Sequence, residues 1–185
     1  DWQACKVDNP SKDGTVVYAV KFSPDGAVGT LAACHRPEDG LPFVYVVETR
    51  SMAGGISWFV DNLASHAGNA AQIVIDGQSN AQALNDMLLE RNVPRKVIRR
   101  PSTGDVIASN SSFVNAVKER QLTHYGQPAL DVSATRSVKR RIGNHGGFGF
   151  ASTDEADATL VEACALAYRE AMTTKRKPGR KAVVF

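Results

Sequence analysis

Cysteine is scarce in this chain. Cys5, Cys34 and Cys164 are the whole supply, odd in number and far apart. No two have the spacing of a C-x-x-C metal site, which argues against a zinc ribbon or a disulfide scaffold. Free thiols in a reducing, intracellular compartment are expected instead. Long apolar runs are missing too. No stretch reaches the roughly 18 residues that suggest a membrane-spanning helix, and no signal-peptide pattern is visible. Excess charge of one sign is also lacking: 22 Lys and Arg against 19 Asp and Glu leave a net charge of only +3. That balance permits a polyanionic partner without requiring one.

Several catalytic signatures are absent. The glycine-rich stretch Gly143-Asn144-His145-Gly146-Gly147-Phe148-Gly149-Phe150 is followed by no Gly-Lys-Ser/Thr, so it is no P-loop. There is no G-x-S-x-G elbow. His35, His66, His124 and His145 are scattered rather than paired at ligand spacing. Aromatic residues make up 7% of the chain and form no evident platform for stacking single-stranded bases.

What is present suits one domain. The chain has 185 residues, 43% of them hydrophobic, enough for one sizeable core. The cations are clustered. Arg136, Lys139, Arg140 and Arg141 form one group, and Lys175, Arg176, Lys177, Arg180 and Lys181 form another. Such clusters fit a phosphate backbone better than a mixed surface does.

Periodicity and turn signals predict the elements. Thr15 to Phe22, Ala27 to His35 and Leu41 to Thr49 read as strands separated by Ser23-Pro24-Asp25-Gly26 and Pro37-Glu38-Asp39-Gly40. They imply a three-stranded antiparallel meander. Helical spacing follows over Ser57 to His66, then a strand over Ala71 to Ile75 and a helix over Ala81 to Glu90. A short strand is expected at Lys96 to Arg99. Helices are expected over Asp105 to Glu119, Ala129 to Arg140 and Leu160 to Met172, with a loop or short hairpin at 143–150. A meander feeding alternating α and β elements is the layout of the ribonuclease H-like fold: an α/β domain with a mixed central sheet flanked by helices. Residues 1–14 read as a polar leading linker, 15–174 as the domain and 175–185 as a basic flexible tail. The start at Asp1 rather than Met suggests a piece of something longer.

The most informative stretch is Ala71-Gln72-Ile73-Val74-Ile75-Asp76-Gly77. It reads as a parallel strand buried on both faces, with Asp76 at its C-terminal end, where ligands bind in open α/β sheets. Asp76 is a candidate ligand for a hard divalent cation, or a turn carboxylate. In the first strand, alternation sets Val16, Tyr18, Val20 and Phe22 on one face and Val17, Ala19 and Lys21 on the other. Asp25, at the following turn, is either a second metal ligand or an ordinary Asp-Gly hairpin residue. Among Asp154, Glu155, Asp157 and Glu162 near the last helix, Asp157 is the chosen third ligand. The competing account is that these acids complement the helix dipole. Asp131 is a reserve candidate.

Several stretches, in this order, resemble the C-terminal nuclease domain of the large terminase subunit of tailed bacteriophages, actinobacteriophages especially. They are Tyr18 to Gly26, Val46 to Met52, Ile73 to Gly77, Leu122 to Leu130, Arg140 to Phe148 and the alanine-rich Leu160 to Ala167. The resemblance implies a metal-dependent endonuclease that cuts concatemeric double-stranded DNA by a one- or two-metal mechanism using Mg²⁺ or Mn²⁺. Asp25, Asp76 and Asp157 would be its catalytic and metal-binding carboxylates. Lys21, Arg136, Lys139, Arg140 and Arg141 would contact DNA. It also implies a packaging ATPase domain elsewhere in the full protein, a small terminase subunit and a portal as partners, a host-cytoplasmic setting, and a monomeric isolated domain. Two departures stand out. Many relatives carry Asp at the position of Lys21, and the acid of the last helix aligns near Thr159. A non-catalytic DNA-binding or docking module, or another ribonuclease H-like enzyme such as a resolvase, are the alternatives.

Overall fold

The computed structural model describes residues 1–178. Arg180 and Lys181, and with them most of the expected basic tail, lie outside the described residues.

Three antiparallel strands open the sheet: β1 (Thr15–Phe22), β2 (Val28–Arg36) and β3 (Phe43–Ser51). After α1 (Ser57–His66), β4 (Ala70–Asp76) returns beside β1 and runs parallel to it. Helix α2 (Ala81–Glu90) leads to β5 (Ile98–Arg99), parallel to β4. The strand order is β3-β2-β1-β4-β5. Strands β1 and β4 are therefore central, and their C-terminal ends lie side by side. Helices α3 (Thr103–Lys118), α4 (Pro128–Arg136) and α5 (Ala158–Thr173) follow, with a hairpin of β6 (Val138–Ile142) and β7 (Gly147–Ala151) between the last two.

The alternation of β1 divides the core as its sequence predicts. Val16, Tyr18, Val20 and Phe22 pack with Phe59, Leu63, Leu84 and Leu88 of α1 and α2. Val17 and Ala19 face the other layer, where α3 and α5 supply Phe113, Val161, Cys164 and Tyr168. Covering both faces makes the central strands near-continuous apolar runs. Helix α5 is buried along almost its whole length, which is why it is rich in alanine: small side chains let it lie close against the sheet.

Three elements differ from the sequence reading. The supposed linker begins with a 3-10 turn at Trp2–Cys5, and both of those residues are buried. Trp2 stacks on His124 at 3.8 Å between ring centroids and donates from Nε1 to Asp131 Oδ1 at 2.6 Å. Two apolar anchors in a polar stretch outweigh its turn-rich average. Helix α4 stops at Arg136 rather than Arg140, because Ser137 is extended (ψ 148°) and the next five residues pair with β7. The expected strand at Lys96 shortens to two residues after a 3-10 turn at Arg95–Val97.

Candidate functional site

The C-terminal ends of β1 and β4 bring two charged residues face to face. Lys21 and Asp76 are paired in the parallel register, and Lys21 Nζ donates to Asp76 Oδ2 at 2.6 Å. Both point toward α5, the same side as Val17 and Ala19. Gly77 then turns the chain away with φ +137°. A Cβ there would sit 2.9 Å from the Phe22 Cβ, so only glycine serves at this turn.

The second carboxylate comes from α5. Glu162 Oε2 lies 3.6 Å from Lys21 Nζ. Its Oε1 accepts the Phe150 N–H at 3.2 Å and lies 3.6 Å from Arg140 Nη2. Arg140 also donates from Nε to the Phe150 carbonyl at 3.1 Å. The hairpin is thereby clasped onto the carboxylate cluster. Burial pushes the Glu162 carboxyl up from its ordinary value. Lys21, Arg140 and the Phe150 N–H oppose that shift, while the negative charge of Asp76 adds to it.

A groove of about 640 Å³ opens over this cluster, lined by Lys21, Asp76, Arg100, Thr103 and Arg140 among others. Arg100 is fixed at its rim, donating from Nε to the Ile75 carbonyl at 3.0 Å and from Nη1 to Gln82 Oε1 at 3.1 Å. Beside it the hairpin is exposed along Val138 to Arg141. Strand alternation sets Lys139 and Arg141 on one face and Arg140 on the other. Lys139 Nζ sits 4.3 Å from the Phe148 ring centroid. Arg141 caps the hairpin turn through the carbonyls of Gly143 and Asn144. Arg136 is paired with Glu155.

Of the three carboxylates chosen from sequence, the structure brings Asp76 to this cluster. Asp25 stays in its turn, where Oδ1 accepts Ser23 Oγ at 2.7 Å and the Ala27 N–H at 3.0 Å. Those bonds hold its carboxyl below the usual range. Asp157 is the N-cap of α5, accepting the Thr159 N–H at 2.9 Å. Asp25 and Asp157 share a separate shallow depression of about 400 Å³ that Asp76 does not line. Thr159, the aligned position, is buried and bonded to Thr30 at 2.8 Å. Asp131 is taken up by Trp2 and neighbours His124. Lys21, expected as a DNA contact, is a buried cation held by two acids.

Glu162 is the residue the sequence reading passed over. Its signal was present: it lies three residues after Thr159 and one before Ala163, on the stripe that α5 turns to the sheet. A carboxylate on such a stripe is seldom buried without a partner.

A divalent ion does not fit these donors as they stand. Among the described residues no group of three or more His, Cys, Asp or Glu side chains is gathered to hold a metal. The two nearest carboxylates already share the Lys21 ammonium, and a second cation there would be repelled by it.

No known family profile and no curated protein matches this sequence. Solved structures do. The large terminase of bacteriophage HK97 superposes with a TM-score of 0.70 at 11% identity, covering 91% of this chain and 42% of that one. The large terminase nuclease of thermophilic phage G20c, solved with bound magnesium, gives 0.60 at 12% identity over 88% of this chain and 85% of that one. The nuclease domain of Thermus phage P74-26 gives 0.57 at 11% identity over 100% and 97%. The chain has the fold of phage large-terminase nuclease domains. That terminase nuclease fold is ribonuclease H-like, and the strand order found here agrees with it. At this identity the likeness is one of fold, and the chain spans less than half of the HK97 protein.

Proposed function

We propose that this chain is the nuclease-type domain of a viral genome-packaging terminase and that it engages double-stranded DNA along the groove above Lys21, Asp76 and Glu162. One observation carries the reading: on a terminase nuclease fold, a basic hairpin stands exposed beside the strand-end carboxylate. Lys139 and Arg141 on one face and Arg100 at the rim suit contacts to phosphates, which position a duplex without reading its sequence. Lys21 neutralises the carboxylates that would otherwise repel that backbone. In the full protein the partners would be the packaging ATPase domain, a small terminase subunit and the portal, inside the host cell, with the isolated domain monomeric.

A second reading is metal-dependent hydrolysis of concatemeric DNA with Mg²⁺ or Mn²⁺. It is favoured by the neighbours solved with bound magnesium and cobalt and by the meeting of Asp76 with Glu162. Asp25 and Asp157, the acids expected from sequence, would have to move to join Asp76 in such a centre.

Plasmid nicking in Mn²⁺, with a gel-shift assay of the same protein in EDTA, separates the two. Binding without nicking supports the DNA-holding reading. Nicking that Asp76→Ala abolishes supports the endonuclease. Absence of both refutes the assignment to DNA.

A further inference from the structure

We propose that Lys21 is the resident cation of this site, an ammonium standing in for a divalent ion, and that it closes Asp76 and Glu162 to Mg²⁺ and Mn²⁺.

The argument begins with register. Lys21 and Asp76 are direct partners across β1 and β4, so the lysine stem rises from the same sheet end as the carboxylate it meets. An ammonium carries three donors and no acceptor. Here it donates to Asp76 Oδ2 at 2.6 Å and forms an ion pair, without a hydrogen bond, with Glu162 Oε2 at 3.6 Å. The side chain is 10% exposed, and those of Asp76 and Glu162 are 18% and 7%. A charge so enclosed is tolerated only when paired, and both acids depend on it.

Charge counting gives the same result. Asp76 and Glu162 contribute two negative charges; Lys21 and Arg140 contribute two positive ones. The cluster is neutral as it stands. A divalent ion added to it would leave a net charge of +2 in a mostly buried place. Hard cations gain affinity from the number of anionic oxygens around them. Here two carboxylates are present and a fixed cation lies between them. Displacing the ammonium would also strip a buried lysine of both its acidic partners.

Replacing Lys21 with a third carboxylate reverses this arithmetic: three acids would then face one point at the sheet end. The metal claim stands on this ion pair alone. Its consequence, DNA contact without cleavage, rests on the terminase reading.

The test uses the whole 185-residue chain. Free Mn²⁺ is followed by electron paramagnetic resonance as protein is added, with circular dichroism melts to confirm folding. The wild type is expected to leave Mn²⁺ free, with no saturable binding. Lys21→Asp is expected to bind Mn²⁺ saturably, and adding Asp76→Asn should remove that binding. Lys21→Met, which deletes the ammonium without adding a ligand, should bind more weakly than Lys21→Asp and more tightly than wild type. Saturable Mn²⁺ binding by the wild type, lost in Asp76→Asn, would overturn the proposal. So would a folded Lys21→Asp or Lys21→Met as blind to Mn²⁺ as wild type. If neither variant folds, the wild-type titration still decides. DNA binding in EDTA is measured alongside: its failure would sink the terminase reading while leaving the metal result intact.

Discussion

Lys21 and Asp76 stand opposite each other on neighbouring parallel strands, with ammonium and carboxylate 2.6 Å apart. Because Glu162 shares the same ammonium, the contact ties the sheet to α5. Removing one member of a buried ion pair costs about 3–5 kcal/mol. Lys21→Met should therefore lower stability by roughly that amount, read by urea unfolding. Asp76→Leu should also destabilise. The double variant should lose less than the sum of the singles, by about 0.5–3 kcal/mol of coupling. Strict additivity would mean that the two side chains do not interact in solution.

Asp157 and Asp25 make different predictions from Asp76. Asp157→Ala removes the N-cap of α5 and should cost about 0.5–2 kcal/mol, with duplex binding unchanged. Asp25→Ala removes two exposed turn bonds and should change neither binding nor the fold. Loss of DNA binding in either variant, with the fold intact, would show that the sequence had marked the right acids and the groove lies elsewhere.

Much of this was legible in the chain. The two faces of β1 follow from strict alternation, and the antiparallel meander follows from two tight turns. Asp76 was legible because an apolar run ends in one carboxylate and a glycine. Glu162 was harder to find. Four acids lie between residues 154 and 162, and helix capping and dipole terms reward the early ones as much as a metal would. What separates Glu162 is burial on the inner stripe of α5, a tertiary fact. Trp2 was obscured in the same way: its role depends on His124 and Asp131, more than 120 residues away.

His124 gives the fold a pH dependence. It is buried against Trp2, with Nε2 bonded to the Trp2 carbonyl at 2.9 Å and Nδ1 taking the Gly126 N–H at 3.1 Å. Burial depresses its pKa, aided by Lys6 and opposed by the Trp2 carbonyl and Asp131. The unfolded chain, near the ordinary value of about 6.5, takes up the proton first as pH falls. Stability should hold above about pH 6.5 and decline below it. His35, also depressed by burial, adds to the slope. Urea midpoints across this range should show a shallower acid decline in His124→Gln than in wild type. Equal slopes would remove His124 from the account.

All three cysteines are free and buried. Burial pushes the Cys34 and Cys164 thiols far above their ordinary values, and Cys5 is raised as well. Since the thiolate is the reactive form, Ellman's reagent should modify none of them quickly in the native protein and all three in denaturant. Fast labelling of the native chain would contradict this packing.

The central claim is that duplex DNA lies along the groove beside the basic hairpin and needs no metal to do so. The direct measurement is fluorescence anisotropy of a labelled duplex in EDTA across a salt series, with wild type and Lys139→Glu/Arg141→Glu. The account predicts salt-sensitive binding without sequence preference. In the variant, affinity should fall and the log–log salt slope should shrink by about one for each phosphate contact removed. Binding that appears only with a divalent ion, or that the variant leaves untouched, would contradict it.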